Sequence, residues 1–579
     1  MKVDLVSARV RTSPKNGQVI PRDRPTSEAG RAMEADFSRR RTLRVPRGGV
    51  ASFQVVVTTE APGDGAEIEL HVGPFAKGPD ALPEASVCYE WPCQLAEDEW
   101  TYEGLIPVEV YRAAPAEVRQ GPLGSRSHHA LWVDVPVPRE AEAGTYRGDL
   151  RVDGAEAGEI AVEVLPVELP LVPGITVDLN SYANHIPGHH PGLTGDELIA
   201  CEHSYYREAH DNRAVLHYLG YGHSGALADG YAPPLAGRGR NLRVADWSAY
   251  DRRFGPLLDG SAMKGSPGGE APVPHFYLPF NYDWPADFAH FGTPGYDLEF
   301  AQVLAQFRLH AQEKGWTRTN FEVFFNQKKR YRYYAWDGDE RKQEADRDHF
   351  LYYRDLIDRG ARLAGEAGAR ARFIYRTDAS WAFAHDAPHD QIGPVFDLWV
   401  IGLGNFTWTR FGVEAIKARG QLAWWYGGCG GPEQPTMDAD RQAVLCWRRG
   451  GDGFLPTWLT MAGDSALDRA DPLSMLYPGR RFGYPRALGS IRLRSIRSAT
   501  ETTDCLEMLG EGGRKLVDEL AEARDDDWWT PTPSWALYPP EVMTNEMYGQ
   551  QPLANPLAKR DPHTPAVIRE RALAALLGE

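Results

Sequence analysis

The 579-residue chain has no apolar run approaching the roughly 20 residues that a membrane-spanning helix needs. Its start, Met1-Lys2-Val3-Asp4-Leu5, has no apolar core of the kind a secretion signal carries, so a cytoplasmic protein is expected. Basic charge is scarce. Sixty-three Lys and Arg face 80 Asp and Glu, a net −17, which argues against nucleic acid or anionic membrane as the main partner. Cysteine is sparse as well: six are scattered, and the close pair Cys88 and Cys93 fits no zinc spacing. His189-His190, His217 and His223 come without HExxH or facial-triad spacing, so no metal is expected. Cys429 sits in a Gly-rich stretch with no base in view, and the glycines lack the Lys-Ser/Thr partner of a phosphate loop. No cofactor is expected, and oligomeric state is not legible.

Aromatic residues, by contrast, are plentiful, with 17 Trp and 25 Tyr. Most such rings fill cores. Sugar-binding clefts also use aromatic faces, because a sugar ring has an apolar C–H face beside its polar edges. The length allows several domains.

Residues 1–170 read as a β-sandwich. Ser52–Thr58, Ala130–Val137 and Glu159–Val164 are short β-type runs, and Gly144–Gly148 reads as a bend into Asp149–Val152. The proline-rich Pro166–Pro173 reads as a linker. From about residue 171 strands and helices alternate. Strands are expected at Thr176–Leu179, Val215–Leu219, Pro274–Phe280, Phe321–Phe325, Arg372–Tyr375, Asp397–Leu403, Ala423–Tyr426 and Phe454–Trp458. Helical stripes run through Asp196–His210, Trp247–Leu258, Phe300–Ala311 and Phe350–Ala364. Eight strands with helices between them predict a (β/α)8 TIM barrel over residues 171–524. Residues 525–579 read as an irregular, aromatic-rich extension ending in a helix, Thr564–Leu577, with Pro565 in its first turn.

Barrel enzymes carry their chemistry at the C-terminal strand ends. That rule selects Asn180, His223, Asp283, Asn326, Gln327, Asp378, Asn405 and Tyr426. Trp381, Trp424, Trp425 and Tyr426 are candidate sugar platforms; the adjacent Trp424 and Trp425 must point to opposite faces of their strand, so at most one of them faces the barrel interior. Arg330, in the cationic run Lys328, Lys329, Arg330 and Arg332, and Arg376 beside Asp378 are candidates to bind an anionic sugar; a solvated loop is the other reading of the run.

Three segments together resemble glycoside hydrolase family 123 and its relatives in the DUF4091 group. They are Leu131-Trp132-Val133-Asp134-Val135 through Gly144–Gly148, the fourth strand with Asn326-Gln327, and Tyr477-Pro478-Gly479 followed by Gly489–Arg494 and a helix. The resemblance spans about residues 130–510. It implies a sandwich followed by a catalytic barrel that cleaves β-N-acetylgalactosaminides with the help of the substrate's own acetamido oxygen. In that family an Asp orients the acetamido group and the following Glu is the general acid. Here Asn326 stands where the Asp would be and Gln327 where the Glu would be.

This departure matters chemically. Asn326 retains the means to hydrogen-bond an acetamido group, but Gln327 does not ionise and cannot serve as the acid. Three readings follow. The acid has moved, with Asp283 and Asp378 as the candidate catalytic pair. Or the protein is a retired enzyme that binds glycans. Or the register is shifted, and Asp337, Asp339 or Glu340 carries the chemistry; that cluster otherwise reads as a solvated loop. In each case the ligand expected is a carbohydrate, either a hexosaminide or an anionic sugar.

Overall fold

The β-type runs Ser52–Thr58 and Ala130–Val137 have their expected outcome: the strands that carry them, Val50–Gly63 and Arg126–Pro136, pair antiparallel inside a seven-stranded sheet. A second, six-stranded sheet is built around Gly144–Val152 and Ala155–Glu168. Gly144–Gly148 is therefore no bend: it runs straight into the rest of its strand, its residues alternately buried and exposed. The two sheets close on one core that includes Phe53, Val55, Val133 and Val135 from the first and Tyr146, Leu150, Ile160 and Val162 from the second. The computed structural model describes residues 1–223, 225–327, 336–339, 346–379, 393–402, 410–427, 431–461, 463–522 and 560–579.

Eight parallel strands follow: β1 (Thr176–Tyr182), β2 (Val215–Leu219), β3 (His275–Tyr277), β4 (Asn320–Val323), β5 (Arg372–Ala379), β6 (Leu398–Gly402), β7 (Leu422–Tyr426) and β8 (Gly453–Leu455). Pairing runs β2-β1-β8-β7-β6-β5-β4-β3, and the two end strands approach each other, so the sheet is a nearly closed barrel. Helices α1 (Gly195–Asp211), α2 (Ser248–Asp259), α3 (Pro294–Glu313), α4 (Asp346–Ala364), α5 (Arg410–Ala418) and α6 (Asp438–Arg448) separate successive strands. Their apolar stripes and the outward residues of the strands form one large core. Helix α3 stops where the sequence signals it, with Gly315 in the left-handed conformation just beyond Lys314.

The region after β8 returns to the first sheet. Tyr477–Pro478 pairs with Ala487–Ser490, and the latter adds to Trp100–Pro107 as a further strand of the seven-stranded sheet. Ser490 then caps α7 (Ile491–Leu509), its hydroxyl accepting from the Leu493 N–H at 3.1 Å. The final helix, α8 (Thr564–Leu577), has Pro565 in its first turn and packs on the same core through Ile568, Ala572 and Leu573. Among the described residues no helix is long and apolar enough to cross a membrane.

Candidate functional site

Side chains alternate across each barrel strand, so every second residue enters the lumen. At mid-height these are charged. Asp178 on β1, His217 on β2, His275 on β3, Glu322 on β4 and Arg376 on β5 are all buried and converge. His217 Nδ1 lies 2.6 Å from Asp178 Oδ2, and His275 Nδ1 lies 2.6 Å from Glu322 Oε1. Arg376 Nη1 lies 3.3 Å from Asp178 Oδ2 and 3.5 Å from Glu322 Oε2, and also donates to the Tyr277 hydroxyl. The His217 ring stacks on Tyr277 at 3.7 Å.

The charge states follow from this packing. Burial pushes the Asp178 carboxyl up to about 7, against the pull of Arg376 and His275. It also holds the His217 imidazole well below its usual range, so His217 is neutral and shares a hydrogen bond with Asp178. Burial would raise Glu322 too, but the His275 hydrogen bond and the Arg376 charge outweigh it and hold Glu322 below the usual carboxylate range. Burial alone would discharge Arg376; Asp378, Tyr277, Glu322 and Asp178 together hold it firmly protonated.

One level higher, at the C-terminal rim, lie Asp378, Asp339, Asn326 and Tyr182, of which only Asp378 is partly exposed. Asp378 accepts from Arg376 Nε at 3.1 Å, and its side chain is partly exposed. The Asp378 backbone N–H donates to the Asp339 carbonyl at 2.8 Å, which ties the end of β5 to the segment that carries Asp339. Asp339 is only 8% exposed, so the expectation of a solvated acidic loop fails for this residue: the segment folds inward and pairs with the end of β5. Burial, then Asp339 and Asp378, push up the Tyr182 hydroxyl, which the Asn326 side chain hydrogen-bonds. Tyr182, Asn326, Asp339 and Asp378 thus share one rim.

An aromatic ledge adjoins them. Trp458, just past β8, is 41% exposed, with the His223 ring 5.6 Å away and Tyr182 6.4 Å away. The ledge is rigid, because Asn180 Nδ2 donates to the Trp458 carbonyl at 2.7 Å and Thr460 bonds back to the Asn180 carbonyl at 3.0 Å. His185 packs edge-on to Tyr182. Burial, with His189 and His223 nearby, pulls it down to about 4, so it is neutral at physiological pH.

The residues singled out from sequence thus fall into different places. Asn326 and Asp378 meet at the rim. Gln327 is fully buried, its amide donating to the Gly225 carbonyl at 3.2 Å. Arg376, 1% exposed, lies beneath the rim and is engaged by carboxylates of the chain itself. Asp283 is exposed, with its backbone N–H on the Asn281 side chain at 2.8 Å, and its carboxylate acts on Tyr296 of the helical layer. Asp378 instead acts on Tyr182 and Tyr221. Trp424 points into the lumen, 4.7 Å from His275, while Trp425 is buried outside the barrel wall and bonded to the Gly427 carbonyl at 2.7 Å. Tyr426 packs against the luminal cluster of Trp424 and Leu455. Arg330, Trp381, Glu340, Asn405 and Cys429 lie outside the described residues. Among the described residues no group of His, Cys, Asp and Glu is arranged to hold a metal. Sequence reasoning passed over Tyr182 and Trp458, although the strand-end rule that selects Asn180 also reaches both.

Comparison with known proteins bears on the fold. A family 123 glycoside hydrolase from Clostridium perfringens, described for glycolipid glycan hydrolysis, matches with a TM-score of 0.59 at 14% identity, over 100% of this chain and 98% of that one. The whole chain therefore has a glycoside-hydrolase-like fold. A GH5 xyloglucanase from Bacteroides ovatus matches far more loosely, with a TM-score of 0.30 at 10% identity, over 80% of this chain and 98% of that one. No protein-family model matches the sequence, and no curated protein does.

Proposed function

We propose that the protein is a glycoside hydrolase of the family 123 type, in which Asp339 and Asp378 replace the usual acidic pair. On this reading residues 1–170 are a β-sandwich, residues 171–524 a (β/α)8 barrel, and residues 525–579 an extension. The observation that carries the proposal is the pair of acids at the barrel rim, joined through the Asp378 N–H and the Asp339 carbonyl and sharing Tyr182 with Asn326.

The roles follow from the surroundings. Arg376 favours the anionic form of Asp378, which suits it to stabilise positive charge developing at the anomeric centre. Asp339 then donates the proton to the leaving oxygen. Asn326 offers an amide to a substrate acetamido group, whose oxygen attacks the anomeric carbon as the glycosidic bond breaks. Water later opens the cyclic intermediate and returns a proton to Asp339. Trp458 offers its face to the apolar side of a sugar ring. An uncharged N-acetylhexosaminide fits better than a uronate or sulfate, because the rim carries two acids and Arg376 is already engaged below them.

Turnover of a panel of aryl glycosides, including N-acetylhexosaminides and uronides, tests this. Asp339→Asn and Asp378→Asn should each lose about 10²–10⁴-fold in kcat with the fold intact. A dinitrophenyl leaving group, which needs no acid, should rescue Asp339→Asn but not Asp378→Asn. Unchanged rates in both variants would sink the proposal. The amides at 326 and 327 favour a second reading, a binder that no longer cleaves. Glycan binding without turnover on any member of the panel would select it.

A further inference from the structure

The side chains beneath the rim make no contact with a glycan in the proposed chemistry, yet they form the most tightly knit charged group in the barrel. Arg376 spans two levels. Its Nη1 faces the floor carboxylates, at 3.3 Å from Asp178 Oδ2 and 3.5 Å from Glu322 Oε2, while its Nε reaches up to Asp378 Oδ1 at 3.1 Å. The floor carboxylates are themselves fixed, Asp178 by His217 at 2.6 Å and Glu322 by His275 at 2.6 Å. His275 is anchored in turn by Asn320, 3.1 Å from its Nε2. The guanidinium also lies 4.6 Å from the Phe324 ring centre, which closes it off from above. A planar fork clamped at one end has little freedom at the other.

We infer that Arg376 is a positioning residue: Asp178 and Glu322 anchor it from below, and it holds the Asp378 carboxylate in place and in its anionic form at the barrel mouth. The inference rests on the reading of Asp378 as the anion of the rim pair. Among the described residues, other groups facing Asp378 include Asp339 from the segment before α4, Tyr182 from β1, Tyr221 from the loop after β2 and Tyr277 from β3. Burial keeps the three tyrosines neutral, and an ionised Asp339 would oppose the Asp378 charge. Arg376 supplies the opposite sign at hydrogen-bond range, and its other end is already tied down.

The test follows the Asp378 carboxyl by carbon-13 NMR in protein labelled at aspartate Cγ, with the signal assigned by its loss in Asp378→Asn. Two variants are compared with the wild type. Arg376→Met removes the cation altogether. Arg376→Lys keeps a cation for Asp178 and Glu322, but a single ammonium cannot also reach Asp378, and it leaves no unpaired floor to unfold the barrel. The titration midpoint of Asp378 should rise by about 1–2 units in both. In Arg376→Lys, kcat should fall about 100-fold while KM stays within about threefold, because a displaced charge costs the transition state more than the bound substrate. A midpoint in folded Arg376→Lys equal to that of wild type overturns the inference, whatever happens to melting temperature. The two readings fail separately: if wild type turns over no glycoside, the hydrolase reading falls, and the NMR midpoint still decides the role of Arg376.

Discussion

A carboxylate at position 327 would sit fully buried against the Gly225 carbonyl, which repels it. The amide donates there instead. Gly225 is itself held in the left-handed conformation, and a Cβ on it would come within 3.0 Å of Gln327 Cγ, so this turn and this side chain are built for each other. Gln327 is thus part of the packing of the loop after β2, whatever its counterpart does in related hydrolases. Gln327→Glu should cost stability on the order of 3 kcal/mol in chemical denaturation, from a buried charge without a partner, and should add no glycoside turnover. A gain in turnover at unchanged stability would instead mark position 327 as a retired acid. Sequence made the amide pair visible as a unit, but it could not show that Asn326 faces the lumen while Gln327 turns under a glycine loop. Nor could it show that Asp339 folds in. A polar run between a strand and a helix reads as solvent-facing, and only its pairing with the end of β5 buries it.

At the scale of elements, two of the three segments that carry the family resemblance meet each other. Asp134, from the strand Arg126–Pro136, accepts from Arg497 Nη2 of α7 at 2.5 Å and lies 3.0 Å from Arg494 Nε. Ser52 and Trp132 hydrogen-bond its Oδ1 at 2.7 and 2.9 Å. Nearby, Arg492 Nε donates to Glu103 at 2.7 Å. These arginines belong to a clasp between the first sheet and α7, and not to the sugar site. Burial would raise the Asp134 carboxyl, but Arg497 and Arg494 outweigh it and hold it at about 2. With the folded value below the unfolded one, this stabilisation is present in full above about pH 4 and is lost as pH falls toward 2, an effect of about 2 kcal/mol. Asp134→Asn leaves the buried Arg497 without its carboxylate, while Arg494 keeps Glu208 at 2.8 Å, and should cost about 3 kcal/mol near neutrality. Its stability should also flatten between pH 4 and 2, as read by melting temperature across that range. A variant whose acid limb runs parallel to that of wild type would show that Asp134 does not titrate in the clasp. The strands and helices themselves were legible because periodicity and capping are local: Gly315 ends α3, and the β-branched runs are strands. The return of Ala487–Ser490 to the first sheet was not, since a four-residue strand pairing with Trp100–Pro107 leaves no local pattern.

Across the whole molecule, the sheets, the barrel and the terminal helix are tied together by side chains far apart in sequence. Arg11 reaches Thr436 at 2.9 Å and the Pro432 carbonyl at 2.7 Å, and His563 reaches the Asp23 carbonyl at 2.8 Å. A 440 Å³ crevice between the first sheets, α7 and α8 is lined by paired charges, among them Arg569 with Glu501, so it is a seam between layers and stands apart from the barrel rim. That frame holds one rim fixed, where two acids, an amide and a tyrosine interact beside an exposed tryptophan. The most direct test of the rim as a glycan site is a calorimetric titration of an N-acetylhexosamine-containing oligosaccharide into Asp378→Asn protein, which should bind but not cleave, and into the same protein carrying Trp458→Ala. Saturable one-site binding is expected, weakening at least fivefold when the Trp458 ring is removed, since stacking on an aromatic face is worth about 1–3 kcal/mol. Equal affinity with and without the Trp458 ring would contradict it and place the glycan elsewhere on the molecule.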